Sequence, residues 1–191
     1  MSLSLNFVAI VVLLALNAFF VAAEFALVKV SRIKVETLAA EGGASAKMTL
    51  RILNHLEAYL AACQLGITMA SLGLGWVGEP AVAAILEPVF TWAGVPAKIL
   101  HPVSFVTGFL VFSSLHIVVG EQVPKTIAIR KPESISLLTA YALHVCYLAV
   151  WPLNWLLNES ARRILSLMGI KEASHEEVYS NEELKGMVDT S

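Results

Sequence analysis

Apolar residues run almost unbroken from Leu3 to Val28, and the same density returns near 58–79, 102–123 and 134–157. Charge gathers in the shorter stretches between them. About 20 consecutive apolar residues cross a hydrocarbon core as a helix, so the pattern predicts spans at about 4–28, 58–79 and 102–123. The fourth stretch carries Pro152 between Trp151 and Trp155. That suits a helical hairpin or kinked helix in the interface, bent near the proline with its indoles at headgroup depth. A fourth crossing is the alternative. Between the first two spans, Gly42-Gly43-Ala44-Ser45 reads as a loop joining two helical pieces, 30–41 and 46–57. The expectation is an all-α chain with a three-span core over 1–133, juxtamembrane helices over 134–170 and a tail over 171–191.

Charge gives this pattern a direction. Lys29, Arg32, Lys34, Lys47 and Arg51 lie between the first two spans, whereas 80–101 holds Lys98 as its one basic residue. The positive-inside rule then places the N-terminus outside and 29–57 in the cytoplasm, and Lys125, Arg130 and Lys131 after the third span agree. A fourth crossing would carry Arg162 and Arg163 outside, which favours the interfacial reading of 134–157. The C-terminus is then cytoplasmic.

Composition excludes whole classes of function. Of 191 residues, 57% are hydrophobic and 15% charged, outside the soluble range, and a net charge of −2 offers nothing to nucleic acid. The chain reads as a multi-pass protein of the inner (plasma) membrane. The N-terminus lacks a basic n-region, so its long apolar run is expected to stay as an anchor. Cys63 and Cys146 sit in apolar stretches and read as reduced core thiols. From Lys171 onward the chain turns acidic, and Ser180-Asn181-Glu182-Glu183 has capping-box spacing ahead of Leu184, Met187 and Val188. A helix that begins so late is expected to lead into a further cytoplasmic domain.

Small and polar residues then divide the faces. Ala58, Ala62, Gly66 and Ala70 form a ridge on the second span, and Ala18, Ala22 and Ala26 another on the first, suited to close helix approach. Polar residues recur every seven: Asn17 and Glu24; Gln64 and Ser71; Thr107, Ser114 and Glu121. Seven residues return to within about 20° on a helix, so three inward lines would enclose a polar pocket. A charge at bilayer depth costs about 2.5–3.5 kcal/mol on insertion scales, so Glu24 and Glu121 need partners or water unless they snorkel to the interface.

Two backbone features point to cation chemistry. Pro124 has no N–H, so the Gly120 carbonyl loses its helical donor beside the Glu121 carboxylate. Gly73, Gly75 and Gly78, with Pro80 after them, make the second span prone to unwind, and unwound carbonyls at membrane depth line cavities or bind ions. With the Ser71 hydroxyl these are hard oxygen donors, which suit Mg²⁺ or Na⁺ over zinc or copper. His116 reads as a packing residue, and Glu79 and Glu87 as solvated carboxylates. No nucleophile-base pair or phosphate-cradling loop appears, so no enzyme is expected.

Three blocks in order, LNAFFVAAEFALVKVSR at 16–32, CQLGITMASLGLGWVGEPA at 63–81 and VVGEQVPKTIAIRKPE at 118–133, resemble the transmembrane domain of the cyclin M and CorC magnesium transporters. The resemblance implies a homodimer of three-span subunits, a helical hairpin after the third span, and CBS-type regulatory modules downstream of residue 191. It also implies Mg²⁺ export coupled to Na⁺ influx, with the ion held by Glu121, Ser71 and the carbonyls of Gly73 and Gly75. Many relatives carry serine where this chain reads Val21-Ala22-Ala23, so the first span departs from that ligand pattern. The leading expectation is an alternating-access exchanger whose candidate ligands are Glu121, Ser71, Gly73, Gly75, Gly120, Asn17 and Glu24. A passive cation channel and a non-transporting scaffold for a sensor domain are the alternatives.

Overall fold

The computed structural model describes residues 3–168, all of them in helices or the short connections between helices. The acidic tail and its capping box lie outside the described residues. In chain order the elements are α1 (Leu3–Lys29), α2 (Arg32–Ala40), α3 (Ala44–Leu53), α4 (Leu56–Trp92), α5 (Ala97–Leu115), a π-helical segment (His116–Gln122), α6 (Val123–Arg130) and α7 (Pro132–Leu167). The described residues divide after Trp151 into two compact units, and the helical core and polar junction belong to the first.

Among the described residues, four helical stretches have the length and hydropathy of a membrane crossing: Leu5–Lys29, Leu56–Trp92, Ala97–Arg130 and Pro132–Leu167. Their outward faces are greasy, with Leu72, Trp76 and Leu138 at 69%, 85% and 77% exposure. A water-soluble bundle places such residues inside; here they face where lipid would be. The chain is a multi-pass membrane domain.

Several boundaries differ from those expected. The second span does not end near 79: α4 continues through Pro80 and Pro88 to Trp92, so the expected outer connection of 80–101 shrinks to 93–96. The glycine-rich stretch 71–78 is not unwound either, because it lies inside continuous α-helix. Tight packing explains this. Glycine loosens an isolated helix, but Gly73 and Gly78 are where neighbouring helices press. A Cβ on Gly73 would sit 3.1 Å from the Leu13 side chain, and one on Gly78 would collide with the Phe112 ring. The stretch 134–157 is one continuous helix rather than a hairpin, with Pro152 inside it.

α1 and α4 run antiparallel in a single register, Leu13 against Gly73, Asn17 against Ser71, and Phe20 against Gly66. The expected α4 ridge is its buried face: Ala62, Gly66 and Ala70 are buried, and the stripe continues through Leu74 and Gly78. On α1 the ridge is less used, since Ala26 is buried while Ala18 and Ala22 are partly exposed. α5 packs on the far half of α4, where a Cβ on Gly108 would lie 2.9 Å from the Ala83 backbone nitrogen. The bundle is sealed by a core of Phe20, Ala23, Leu27, Ile52, Tyr59, Cys63, Ala140 and Leu143. Tyr59 Oη lies 2.6 Å from His144 Nδ1, and Thr49 Oγ1 donates to the Ser136 carbonyl at 3.3 Å, which ties α4 and α3 to α7. Cys63 and Cys146 are free thiols.

Because the atom facing Gly108 belongs to backbone, it cannot swing aside. Gly108→Ala should lower stability by about 1–3 kcal/mol, the usual range for overpacking. Gly75→Ala, whose Cβ would meet only the flexible Glu79 carboxylate at 3.6 Å, should be neutral or slightly stabilising. Thermal unfolding of both variants in detergent checks the contrast; equal behaviour would contradict the α4–α5 packing.

Candidate functional site

The third long helical stretch solves its proline problem by changing helix type. In an α-helix the N–H at position 124 would bond the Gly120 carbonyl, and proline has none. Instead, residues 116–122 adopt the π register, closed by Val123 N–H donating to the Val118 carbonyl five residues back. Pro124 then falls in the first turn of α6, where a missing N–H is harmless.

The Gly120 carbonyl, whose α-helical donor Pro124 removes, accepts from another helix. Asn17 Nδ2 donates to it at 3.1 Å, and Asn17 Oδ1 accepts from Ser71 Oγ at 3.2 Å. Asn17 is fully buried. One side-chain amide thus joins α1, α4 and the π segment, with donor and acceptor ends both used. Gly120 has to be glycine here: a Cβ would lie 2.8 Å from His116 Cδ2 and 3.1 Å from Asn17 Nδ2.

Three of the seven candidate ligands, Asn17, Ser71 and Gly120, therefore meet in one place. Glu121 adjoins them in sequence; its side chain is 40% exposed and its Oε1 lies 3.9 Å from His116 Nε2. Glu24 does not join them. It accepts a hydrogen bond from Gln64, one step further along the same α1–α4 register, seven residues and about 10 Å from the Asn17–Ser71 pair. The two helices thus share two polar rungs rather than one pocket. Gly73 and Gly75 belong to the α-helix of α4, where carbonyls ordinarily accept from the N–H four residues on. Pro80 deprives a different carbonyl, that of Trp76, of its donor.

The inward line expected of Thr107, Ser114 and Glu121 is broken. Ser114 is exposed and bonds back to the Leu110 carbonyl. The buried series is Ser104, Gly108 and Phe112, then Gly120, Pro124 and Ala128. A four-residue step overshoots an α-turn by about 40°, and the wider π turn takes up that drift. His116, expected as packing, is an ionisable neighbour of Glu121, and helix-period reasoning had no means of finding it. At the other end of the bundle Glu87 is exposed and pairs with His101 at 3.0 Å. No group of three or more His, Cys, Asp or Glu gathers among the described residues, so the donors here are mostly neutral oxygens.

Replacing Asn17 removes both bonds and strands the Gly120 carbonyl. Interhelical hydrogen bonds in membranes average about 0.6 kcal/mol, and an unpaired buried acceptor adds about 1–3 kcal/mol. Asn17→Leu should therefore cost about 2–4 kcal/mol and Ser71→Ala, which leaves that carbonyl paired, under about 1 kcal/mol. Unfolding midpoints in lipid nanodiscs test this order; equal losses would contradict the bridge.

Comparison with known proteins agrees with this architecture. A model of the cyclin M transmembrane N-terminal domain matches residues 8–191. The UPF0053 protein YhdT of Bacillus subtilis is 45% identical over 181 residues, covering 94% of this chain and 39% of that protein. The UPF0053 protein YrkA of the same organism is 44% identical over 189 residues, covering 98% of this chain and 44% of that protein. UPF0053 protein sll0260 of Synechocystis is 35% identical, over 98% of this chain and 42% of that protein. The chain spans less than half the length of these relatives. Over nearly all of its own length, this chain belongs to the cyclin M transmembrane N-terminal domain family.

Proposed function

We propose that this domain carries Mg²⁺ out of the cell in exchange for Na⁺, by alternating access. The observation that supports this most is the junction of Asn17, Ser71 and Gly120 beside Glu121. It offers a side-chain amide oxygen, a hydroxyl and a carbonyl freed by proline, next to one carboxylate. Such hard neutral oxygens with a single negative charge suit a small hard cation, and Mg²⁺ is commonly held by only one or two carboxylates. Family membership, with the Mg²⁺ cargo that the resemblance implies, favours this ion.

In this reading Glu121, Asn17, Ser71 and Gly120 form the deep site. Gly73 and Gly75 contribute carbonyls if α4 loosens during transport, and the Glu24–Gln64 rung is a station nearer the basic end of the bundle. The N-terminus lies outside; α7 rests along the cytoplasmic interface after three crossings; two copies form a homodimer; and a CBS-type regulatory domain follows residue 191. Moving one charge across the membrane is worth about 2.3 kcal/mol per 100 mV. A divalent cation leaving against that potential needs twice as much, so more than one Na⁺ accompanies each Mg²⁺. No chemical transformation is part of the function.

Glu121→Gln keeps the shape and removes the charge. It should reduce Mg²⁺ flux in proteoliposomes by on the order of 100-fold, since only neutral oxygens remain, while the protein stays folded and monodisperse. Wild-type flux in that variant would remove Glu121 from the ligand set. Mg²⁺ efflux measured with and without an opposing Na⁺ gradient tests the coupling. Exchange predicts acceleration by Na⁺; flux that ignores Na⁺ and follows the Mg²⁺ gradient identifies a channel; absence of both flux and Mg²⁺ binding identifies a scaffold.

A further inference from the structure

α1 packs on α4, the π segment and α6, whereas α5 packs on α4 and the π segment. The first and third spans therefore meet at the π segment and part beyond it, toward the end of the bundle remote from Lys29 and Lys125. Between them, with α4 as its floor, lies a crevice of about 510 Å³. Phe7 and Ile10 of α1, Ala81 and Ile85 of α4, and Leu115 of α5 line it. Asn6 supplies the one polar side chain among the described residues of its lining, and none of them is charged.

Helical interiors pack to crystal density, and a gap of this size forfeits the contacts of both its walls. The lining decides what can fill it. A buried water takes two to four polar partners, and an apolar cavity stays dry. Asn6 alone does not hold water one turn deeper, beside Ile10. The crevice also opens sideways: Phe7, Ile85 and Leu115 are 67%, 58% and 52% exposed. One turn on from Phe7 along α1, and one turn back from Leu115 along α5, Val11 and Val111 are half exposed on the same faces. The crevice is thus continuous with the surface that faces lipid.

Its size points the same way. An apolar cavity of about 150 Å³ takes one benzene. This crevice has more than three times that volume, room at the same density for roughly 15 to 20 aliphatic carbons, the scale of a fatty acyl chain. We infer that the crevice holds one acyl chain of a membrane glycerophospholipid, whose ester carbonyl accepts a hydrogen bond from the Asn6 amide. A free fatty acid would bring a carboxylate to that point, where the lining offers no positive charge. The bound chain completes the packing between α1 and α5 that the two helices leave unmade. This holds whether or not a cation binds at the polar junction.

The test uses the full chain in a mild detergent, which strips loosely held lipid. A phosphatidylethanolamine with a diazirine midway along one acyl chain is added in increasing amounts and irradiated, and the labelled peptides are mapped. Labelling is expected to saturate, to fall with excess unlabelled phosphatidylethanolamine, and to concentrate on Phe7, Ile10 and Leu115. Label that never saturates, or that spreads evenly over exposed residues such as Trp76 and Leu138, overturns the inference without any variant having to fold. Ala81→Phe puts a ring into the crevice; since losing the burial of two methylenes already costs about tenfold in affinity, labelling there should fall at least that far. Unchanged labelling in the folded variant overturns the inference as well. Palmitate that competes as well as the phospholipid overturns the ester contact at Asn6. An unlabelled crevice, with Ile85→Cys forming a disulfide between two copies, overturns the lipid and assigns this face to a second copy of the chain.

Discussion

Hydrocarbon cannot solvate a peptide group, so each carbonyl released inside a membrane helix has to be satisfied by the protein itself. Pro124 releases one at Gly120, and the packing around it answers to that single vacancy. The Asn17 amide reaches it from α1 and fixes the distance between α1 and the π segment. The other end of the same amide accepts from Ser71 and so fixes the register of α4. Three helices are located against one another by one side chain of fixed shape. A serine or threonine at position 17 would be too short to use both ends at once.

Lipid tails are as apolar as leucine, so burial gives these helices little reason to associate. Close van der Waals contact and interhelical hydrogen bonds have to supply it. Glycine and alanine at the crossings provide the first: Gly66 receives the Phe20 ring, Gly78 the Phe112 ring, and Gly108 the Ala83 backbone. The two polar rungs on α1 and α4 provide the second, and they lock the sliding register that smooth ridges alone leave free. Between the rungs the Phe20 ring fills the interface, so the deep pair is separated from the Glu24–Gln64 pair by an apolar plug. Lys125 closes over the Phe25 ring at 4.6 Å where α6 meets α1, placing a positive charge on the Glu24 side of that plug.

How much of this was legible in the sequence depends on the range of the interactions involved. Hydropathy found the helices, because crossing a bilayer is a requirement on a local run of residues. The seven-residue spacing put Asn17 with Glu24 and Ser71 with Gln64 on shared faces, and antiparallel packing joined them rung to rung. Pro124 marked Gly120 as a carbonyl needing a partner, since loss of an i to i−4 bond is local as well. The π segment was not legible, because it is a compromise between that proline and the packing of both neighbours. With it went the face of Glu121 and the pairing with His116. Gly73 and Gly78 of α4 misled for a related reason: local flexibility says unwind, whereas the helices pressed against them require a rod without side chains at those positions. The length of α4 beyond Glu79 escaped for the opposite reason, since prolines that disfavour a helix locally are tolerated where one residue's lost bond costs less than ending the rod.

The proposed ion site also has to be stable without its ion. Carboxylates facing one another repel when empty, and free carbonyls are costly in a dry interior. The junction here avoids both. Each carbonyl-type oxygen has two lone pairs, and the hydroxyl has two in addition to its proton. In the network as it stands, Gly120 O spends one on Asn17, Asn17 Oδ1 spends one on Ser71, and Ser71 Oγ spends its proton and keeps its lone pairs. Each of these groups is thus anchored by a hydrogen bond to a neighbouring helix. The charge of Glu121 stays partly solvated, so the single negative charge of the empty site is not left bare in a dry interior. In the proposed transport cycle, binding would then require little rearrangement of α1 or α4, and the movement would fall to the π segment that carries Gly120 and Glu121 together.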